Sequence, residues 1–183
     1  MPLPKMQTVT HTSKQYWNLP EGQRAELIDG HLYAMAPPGR IHQKLEGELY
    51  YIIKDYIKSN NGSCDIYPAP FAVNLDAEDK NWVEPDISVI CDPDKLTDRG
   101  CEGAPDWIIE IISPSSRRMD YLTKHILYAN AGVREYWIVD PMKEHTTIYQ
   151  FEKDDAPVII DFDRTIEMGL WDGLYINIGE LLK

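Results

Sequence analysis

Residues 106–112 read Asp-Trp-Ile-Ile-Glu-Ile-Ile, an apolar run broken once, by Glu110. A strand that is apolar on both sides belongs in the interior of a sheet with both faces covered. That single segment asks for at least three layers. It also sets a problem, because an isolated carboxylate is costly to bury without a partner. Glu110 therefore needs a partner or a metal ion.

The rest of the pattern supplies the layers. Glu26–Tyr33 predicts two short strands joined by an Asp-Gly turn at Asp29-Gly30. Apolar residues at 41, 45, 49, 52, 53, 56 and 57 follow helical spacing, and Asn60-Asn61-Gly62 ends the helix. Cys64–Val73 and Trp82–Cys91 read as strands, the second entered through Glu84-Pro85-Asp86, and Asp92–Pro105 reads as a loop. A second helix runs from Arg118 to Ala131, stopped by Gly132. Glu135–Val139 is a buried strand, with Trp137, Tyr136 and Trp171 as core aromatics. His145–Phe151, Val158–Asp161 and Leu174–Ile176 are appended strands before a short last helix. Alternation of helices and strands gives an α/β or α+β fold with a mixed central sheet flanked by helices. Residues 1–19 read as an irregular N-terminal segment and 20–183 as a single domain.

Partners for Glu110 are found nearby. Asp86 heads the preceding strand, and two carboxylates on neighbouring strands form an oxygen-rich site suited to Mg²⁺ or Mn²⁺. Lys124 sits on the following helix, four residues from Asp120 on the same face. His42 opens the first helix and admits two readings, a proton carrier or a capping residue. Glu26 and Asp29, in the hairpin, read as structural or turn residues. Ser113-Pro114-Ser115-Ser116 reads as a helix entrance. No GxSxG, P-loop or GxGxxG is present.

Charge opposes a simple polyanion binder. The net charge is −12, whereas phosphate binding usually leaves a basic footprint. The most basic window, residues 111–134, holds Arg117, Arg118, Lys124 and Arg134 against Asp120 alone. It follows the Glu110 strand directly, as a basic mouth on an acidic body. The three cysteines, Cys64, Cys91 and Cys101, read as reduced, partly buried thiols. No apolar run approaches the roughly 18 residues of a membrane span, and the expected location is the cytoplasm. An apolar excess near the C-terminal strands fits a homodimer.

Glu84–Val89, Ile109–Ser115, Asp120, Lys124 and the long stretch Tyr128–Pro141 together resemble the Uma-type family of restriction-endonuclease-like proteins, of the PD-(D/E)xK fold class. Glu26–Gly30 and His42 fit its N-terminal half. The resemblance spans about residues 20 to 180. It implies a restriction-endonuclease-like core with extra C-terminal strands, a metal site at Asp86 and Glu110, and catalysis by Asp86, Glu110, Lys124 and His42. In the parent class the lysine lies two residues after the acid; here that slot is Ile112, and the resemblance points to Lys124 instead. Glu46 or Glu48 of the first helix would complete the site. The implied function is Mg²⁺- or Mn²⁺-dependent phosphodiester hydrolysis on DNA. The competing readings are an inactive binding module on the same fold and a hydrolase of small phosphate esters.

Overall fold

The computed structural model describes residues 10–153 and 155–183. A one-turn helix, α1 (Ser13–Trp17), precedes the hairpin β1 (Ala25–Ile28) and β2 (His31–Ala34). Asp29 and Gly30 both take positive φ, 48° and 74°, as the tight Asp-Gly turn requires. Helix α2 (Arg40–Ser59) buries Leu45, Leu49, Ile53 and Ile57 on one stripe. Gly62 N–H then donates to Ile57 O at 2.8 Å after Asn61 turns left-handed, so the expected stop is where the helix ends.

The two long strands expected next are each divided between two sheets. Cys64–Val73 becomes β3 (Asp65–Pro68) and β4 (Val73–Asn74), with Pro68 and Pro70 denying the ladder its N–H groups between them. Trp82–Cys91 becomes β5 (Trp82–Val83) and β6 (Ile87–Ile90), which swing apart at Glu84-Pro85-Asp86. The expected loop 92–105 contains the small hairpin β7 (Leu96–Thr97) and β8 (Gly100–Glu102). Gly100 is required there, since a Cβ would lie 2.0 Å from Ala72 O. Strand β9 (Trp107–Ile111) follows. The second helix starts as a π-helical turn, Met119–Lys124, and continues as α3 (His125–Ala131). Then come β10 (Glu135–Asp140), β11 (His145–Gln150), β12 (Val158–Asp161), the pair β13 (Ile166–Glu167) and β14 (Tyr175–Ile176), and α4 (Ile178–Leu181).

The central sheet has the order β12-β11-β10-β9-β6-β3, and a smaller sheet has the order β2-β1-β5-β4-β8-β7. Strand β9 is parallel to β10 and antiparallel to β6, so the central sheet is mixed and the Glu110 strand is interior. Alternation along β9 sends Trp107, Ile109 and Ile111 into a core shared with the α2 stripe. Ile108 and Ile112 enter a second core with Tyr128 of α3 and with Ile28, Val73 and Val83 of the smaller sheet. The layers demanded by the apolar run are thus α2 on one side and α3 with the smaller sheet on the other. Trp137 and Tyr136 are fully buried, and Trp171 packs partly buried against the first core.

Two expectations fail. Cys64 and Cys91 are joined in a disulfide, while Cys101 is free and buried. Sequence separation hid the pair: the register Asp65↔Ile90 of β3 and β6 sets Cys64 and Cys91 across from one another. Residues 10–19 are not irregular throughout, because α1 buries Tyr16 against Leu27, Ala72 and Trp82; the expectation for residues 1–9 lies outside the described residues. Among the described residues, no helix is long and apolar enough to cross a membrane.

Candidate active site

The register Ile87↔Ile109 of the β6–β9 pair, carried one residue further, sets Asp86 opposite Glu110. Asp86 Oδ2 accepts the Ile111 N–H at 2.7 Å, so a carboxylate replaces a backbone carbonyl where the two strands separate. His42, near the N-terminus of α2, brings Nε2 to 3.1 Å from the same oxygen. One turn on, Glu46 Oε2 lies 3.8 Å from His42 Nδ1.

Glu110 points to the α3 side. Its Oε1 accepts from Lys124 Nζ at 2.8 Å and from Tyr128 O–H at 2.7 Å. Lys124 Nζ also lies 2.8 Å from Glu26 Oε1 and 3.5 Å from Asp120 Oδ1. Glu26 Oε1 in turn accepts the Glu84 N–H at 3.0 Å, which ties β1 to the turn that carries Asp86. The π turn is what the helix contributes, since π turns recur at functional sites; Asp120 and Lys124, at its two ends, are both buried. Asp86, Glu110, His42, Glu46, Glu26, Asp120 and Lys124 all line one cleft of ≈ 470 Å³.

Negative charge is in surplus there. Burial alone would strip Lys124 of its proton, but Glu110, Glu26 and Asp120 outweigh it and hold the lysine well above its usual pKa. Lys124 is a fixed ammonium. Burial pushes Glu110 well up, and Asp120, Asp86 and Glu26 add to this against the pull of Lys124. Asp120 and Glu46 are raised chiefly by burial too, each with Asp86 contributing. For His42, burial works against the imidazolium, yet the hydrogen bond and charge of Asp86 with Glu46 and Asp120 prevail and raise its pKa.

Such a site suits a divalent cation on three observations. The carboxylates outnumber the one buried ammonium. Among the described residues, no hydrogen bond engages Glu110 Oε2 or Asp86 Oδ1. Among the described residues, Asp120 Oδ1 and His42 Nδ1 are buried with no hydrogen-bond partner and meet only longer ion contacts, to Lys124 and Glu46. Among the described residues, no three His, Cys, Asp or Glu side chains converge as a ready cage. A cation would therefore take few protein oxygens and keep most of its shell for water and substrate, which is the habit of Mg²⁺.

Residues 13–170 match the family Uma2, described as "Putative restriction endonuclease". The chain belongs to the Uma2 family. An uncharacterized protein of Synechocystis sp. (strain ATCC 27184 / PCC 6803 / Kazusa), slr1290, is 24% identical over 170 residues, covering 92% of this chain and 86% of that one. A crystal structure of a "putative nuclease belonging to DUF820" from Anabaena variabilis ATCC 29413 shares the fold, with a TM-score of 0.77, 20% identity, and coverage of 96% and 98% of the two chains. The restriction-endonuclease-like architecture expected from the sequence is therefore the fold of this Uma2 chain.

Within that fold the four anticipated residues, Asp86, Glu110, Lys124 and His42, come together. Of the two first-helix acids, Glu46 lines the cleft, while Glu48 is exposed. Glu26, read from the sequence as a structural or turn residue, is buried against Lys124 and lines the cleft. The available signal was a carboxylate set in the apolar stretch Ala25–Ile28. Tyr128 was hidden among helical core positions. The basic mouth does not form: Arg117 is held by Asp140, Arg134 by Glu152 and Asp106, and Lys124 by its three acids. Arg118 of that window stays exposed, with no acid partner among the described residues.

Proposed function

We propose that this cleft hydrolyses phosphodiester bonds of nucleic acid with a divalent cation held by Asp86 and Glu110. The observation that carries the reading is the facing pair Asp86–Glu110, each with one carboxylate oxygen free, beside a lysine fixed as a cation. Membership in Uma2 and the nuclease description of the Anabaena relative support the choice of substrate. Mg²⁺ or Mn²⁺, when bound, supplies an acidified water and a Lewis acid for a phosphate oxygen.

The chain's own residues do the rest. Lys124 presents a permanent positive charge where the phosphate gains negative charge during displacement. Glu26 and Tyr128 hold Lys124 and Glu110 in place through the contacts at 2.8 Å and 2.7 Å. His42 can carry a proton at Nδ1, which has no hydrogen-bond partner, while Asp86 fixes the ring through Nε2. Glu46 lies on the Nδ1 side and balances the imidazolium.

The test is Glu110→Gln, which keeps the shape and the Lys124 and Tyr128 contacts. With Mn²⁺ and a mixture of single- and double-stranded DNA, the wild type cleaves and the variant does not, at unchanged circular dichroism. Equal cleavage by the two removes Glu110 from the site. Intact DNA with the wild type, together with no heat of Mn²⁺ binding, turns the reading to a binding module.

A further inference from the structure

Besides Lys124, the cleft is lined by one other permanent cation, Arg24. It lies two residues before Glu26, at the entry to β1. The register Ala25↔Ala34 continues back to it, since the Met35 N–H donates to Arg24 O at 2.9 Å. Alternation then puts the Arg24 and Glu26 side chains on one face of the hairpin, about 7 Å apart along the chain. Glu26 meets Lys124 on that face. Arg24 therefore stands one pleat period from the cluster that would face the scissile phosphate.

A guanidinium has five N–H groups in a fixed plane. Arg24 uses two of them: Nε and Nη2 each donate to Glu84 Oε2, at 2.9 and 2.6 Å. Those two form one side edge of the plane. The end edge, with both N–H groups of Nη1 and the second of Nη2, makes no hydrogen bond among the described residues. That edge is the parallel fork which matches two oxygens of a phosphate.

The counter-ion sits behind the cation. Side-chain exposure is 12% for Glu84 against 37% for Arg24, and Arg24 lines the cleft while Glu84 does not. Glu84 is itself fastened twice. Its Oε1 accepts the Tyr16 O–H at 3.1 Å, and its backbone N–H donates to Glu26 Oε1 at 3.0 Å. The guanidinium is thus fixed on its Glu84 edge and keeps its fork unengaged. Lys124, by contrast, is engaged by three carboxylates. The rim segment His31–Ile41 beside Arg24 holds no acid, so a phosphate there meets no carboxylate from that side.

We infer that Arg24 binds a second phosphate, the neighbour of the scissile one, and that Glu84 and Tyr16 position it. The inference rests on the phosphodiester reading for the identity of the anion, and it narrows the substrate class. A ligand that fills both positions carries two phosphates one nucleotide apart. That is a polynucleotide strand, whereas an isolated phosphate ester leaves Arg24 empty.

Binding of a fluorescein-labelled oligothymidylate, read by anisotropy at low salt, tests this in EDTA and again with Ca²⁺ to screen the cleft carboxylates. Arg24→Gln weakens binding about tenfold, the scale of one hydrogen bond to a charged group, and flattens the log–log salt dependence by about 0.7, the share of one phosphate contact on a single strand. Arg24→Lys, which keeps the charge and loses the fork, restores the slope and part of the affinity. Tyr16→Phe loosens Glu84 without changing any charge, so it lowers affinity at the wild-type slope; undiminished affinity removes Tyr16 from the clamp. Wild-type affinity and slope in Arg24→Gln overturn the inference, as does a wild type that binds the strand in neither buffer. A slope that Arg24→Lys fails to restore assigns Arg24 to structure and overturns it as well. Cleavage with Mn²⁺ is scored separately. A wild type that cleaves while Arg24→Gln binds normally leaves the phosphodiester reading standing alone. The expected binding losses with a wild type that cleaves nothing keep the phosphate site and remove the phosphodiester reading.

Discussion

At the residue scale, the central fact is one buried ammonium shared by Glu110, Glu26 and Asp120. Removing a buried cation from such a cluster leaves uncompensated carboxylates, which costs about 3–5 kcal/mol. Lys124→Met is therefore expected to lower the urea unfolding free energy by that amount, and Glu26→Gln added to it to restore part of the loss. A surface ion pair would show less than about 1 kcal/mol, so the size of the effect tests the burial. Cys101 offers a check by pH. Burial pushes its thiol up to about 11 from 9.0, opposed by Lys95. An acid whose folded pKa is raised keeps its proton after the unfolded chain has lost it. Its contribution is intact below pH 9 and stability falls as pH climbs from 9 toward 11. Cys101→Ala should flatten that part of the stability–pH curve. In the folded wild type at pH 8, iodoacetamide should leave Cys101 unmodified, since the thiolate is the reactive form.

At the element scale, the site depends on where strands stop. Asp86 reaches the cleft because β5 and β6 part company at Glu84-Pro85-Asp86, freeing a carboxylate to take the Ile111 N–H. Strand β6 is also fastened at its far end by the Cys64–Cys91 disulfide, which closes a loop of 27 residues. Constraint of the unfolded chain by a loop of that length stabilises by about 3–4 kcal/mol. Cys64→Ser/Cys91→Ser is expected to lose roughly that much in a urea titration. Non-reduced, denatured wild type should show one reactive thiol and reduced protein three. How far the elements were legible in the sequence follows the range of their causes. The β1–β2 turn, the α2 stripe and the stop at Gly62 are local and fall where expected. The divided strands were not legible, because Ala69-Pro70 and Glu84-Pro85 mark breaks without saying that the halves join different sheets. The π turn at Met119–Lys124 has no sequence signature of its own.

At the scale of the whole molecule, charge is arranged against expectation. Apart from Arg118, the cations of the basic window of residues 111–134 are taken by internal pairs, and the cleft is left with surplus carboxylates. On the proposed reading, a divalent cation that relieves this repulsion would bind the folded state alone and so raise its stability. At about 100 times its Kd, Mn²⁺ is expected to raise Tm by about 5–10 °C, from ~2.7 kcal/mol of linkage and ~2–4 °C per kcal/mol for a chain this size. Asp86→Asn should abolish the shift in differential scanning calorimetry. An equal shift in that variant would falsify the assignment of the cation to Asp86.

The sequence by itself determined that Glu110 is buried on an interior strand, because an apolar run of that density has no other stable place. It also determined the candidates Asp86, Lys124 and His42, through the same strand order and the family pattern. Only the tertiary structure decided that Glu26 joins Lys124, that Glu46 and not Glu48 faces the cleft, that Cys64 meets Cys91, and that Arg117 and Arg134 of the basic window are already paired. Each of those is a contact between segments far apart in the chain. Periodicity fixes which face a residue shares with its near neighbours, but a charge finds its partner only when the layers close.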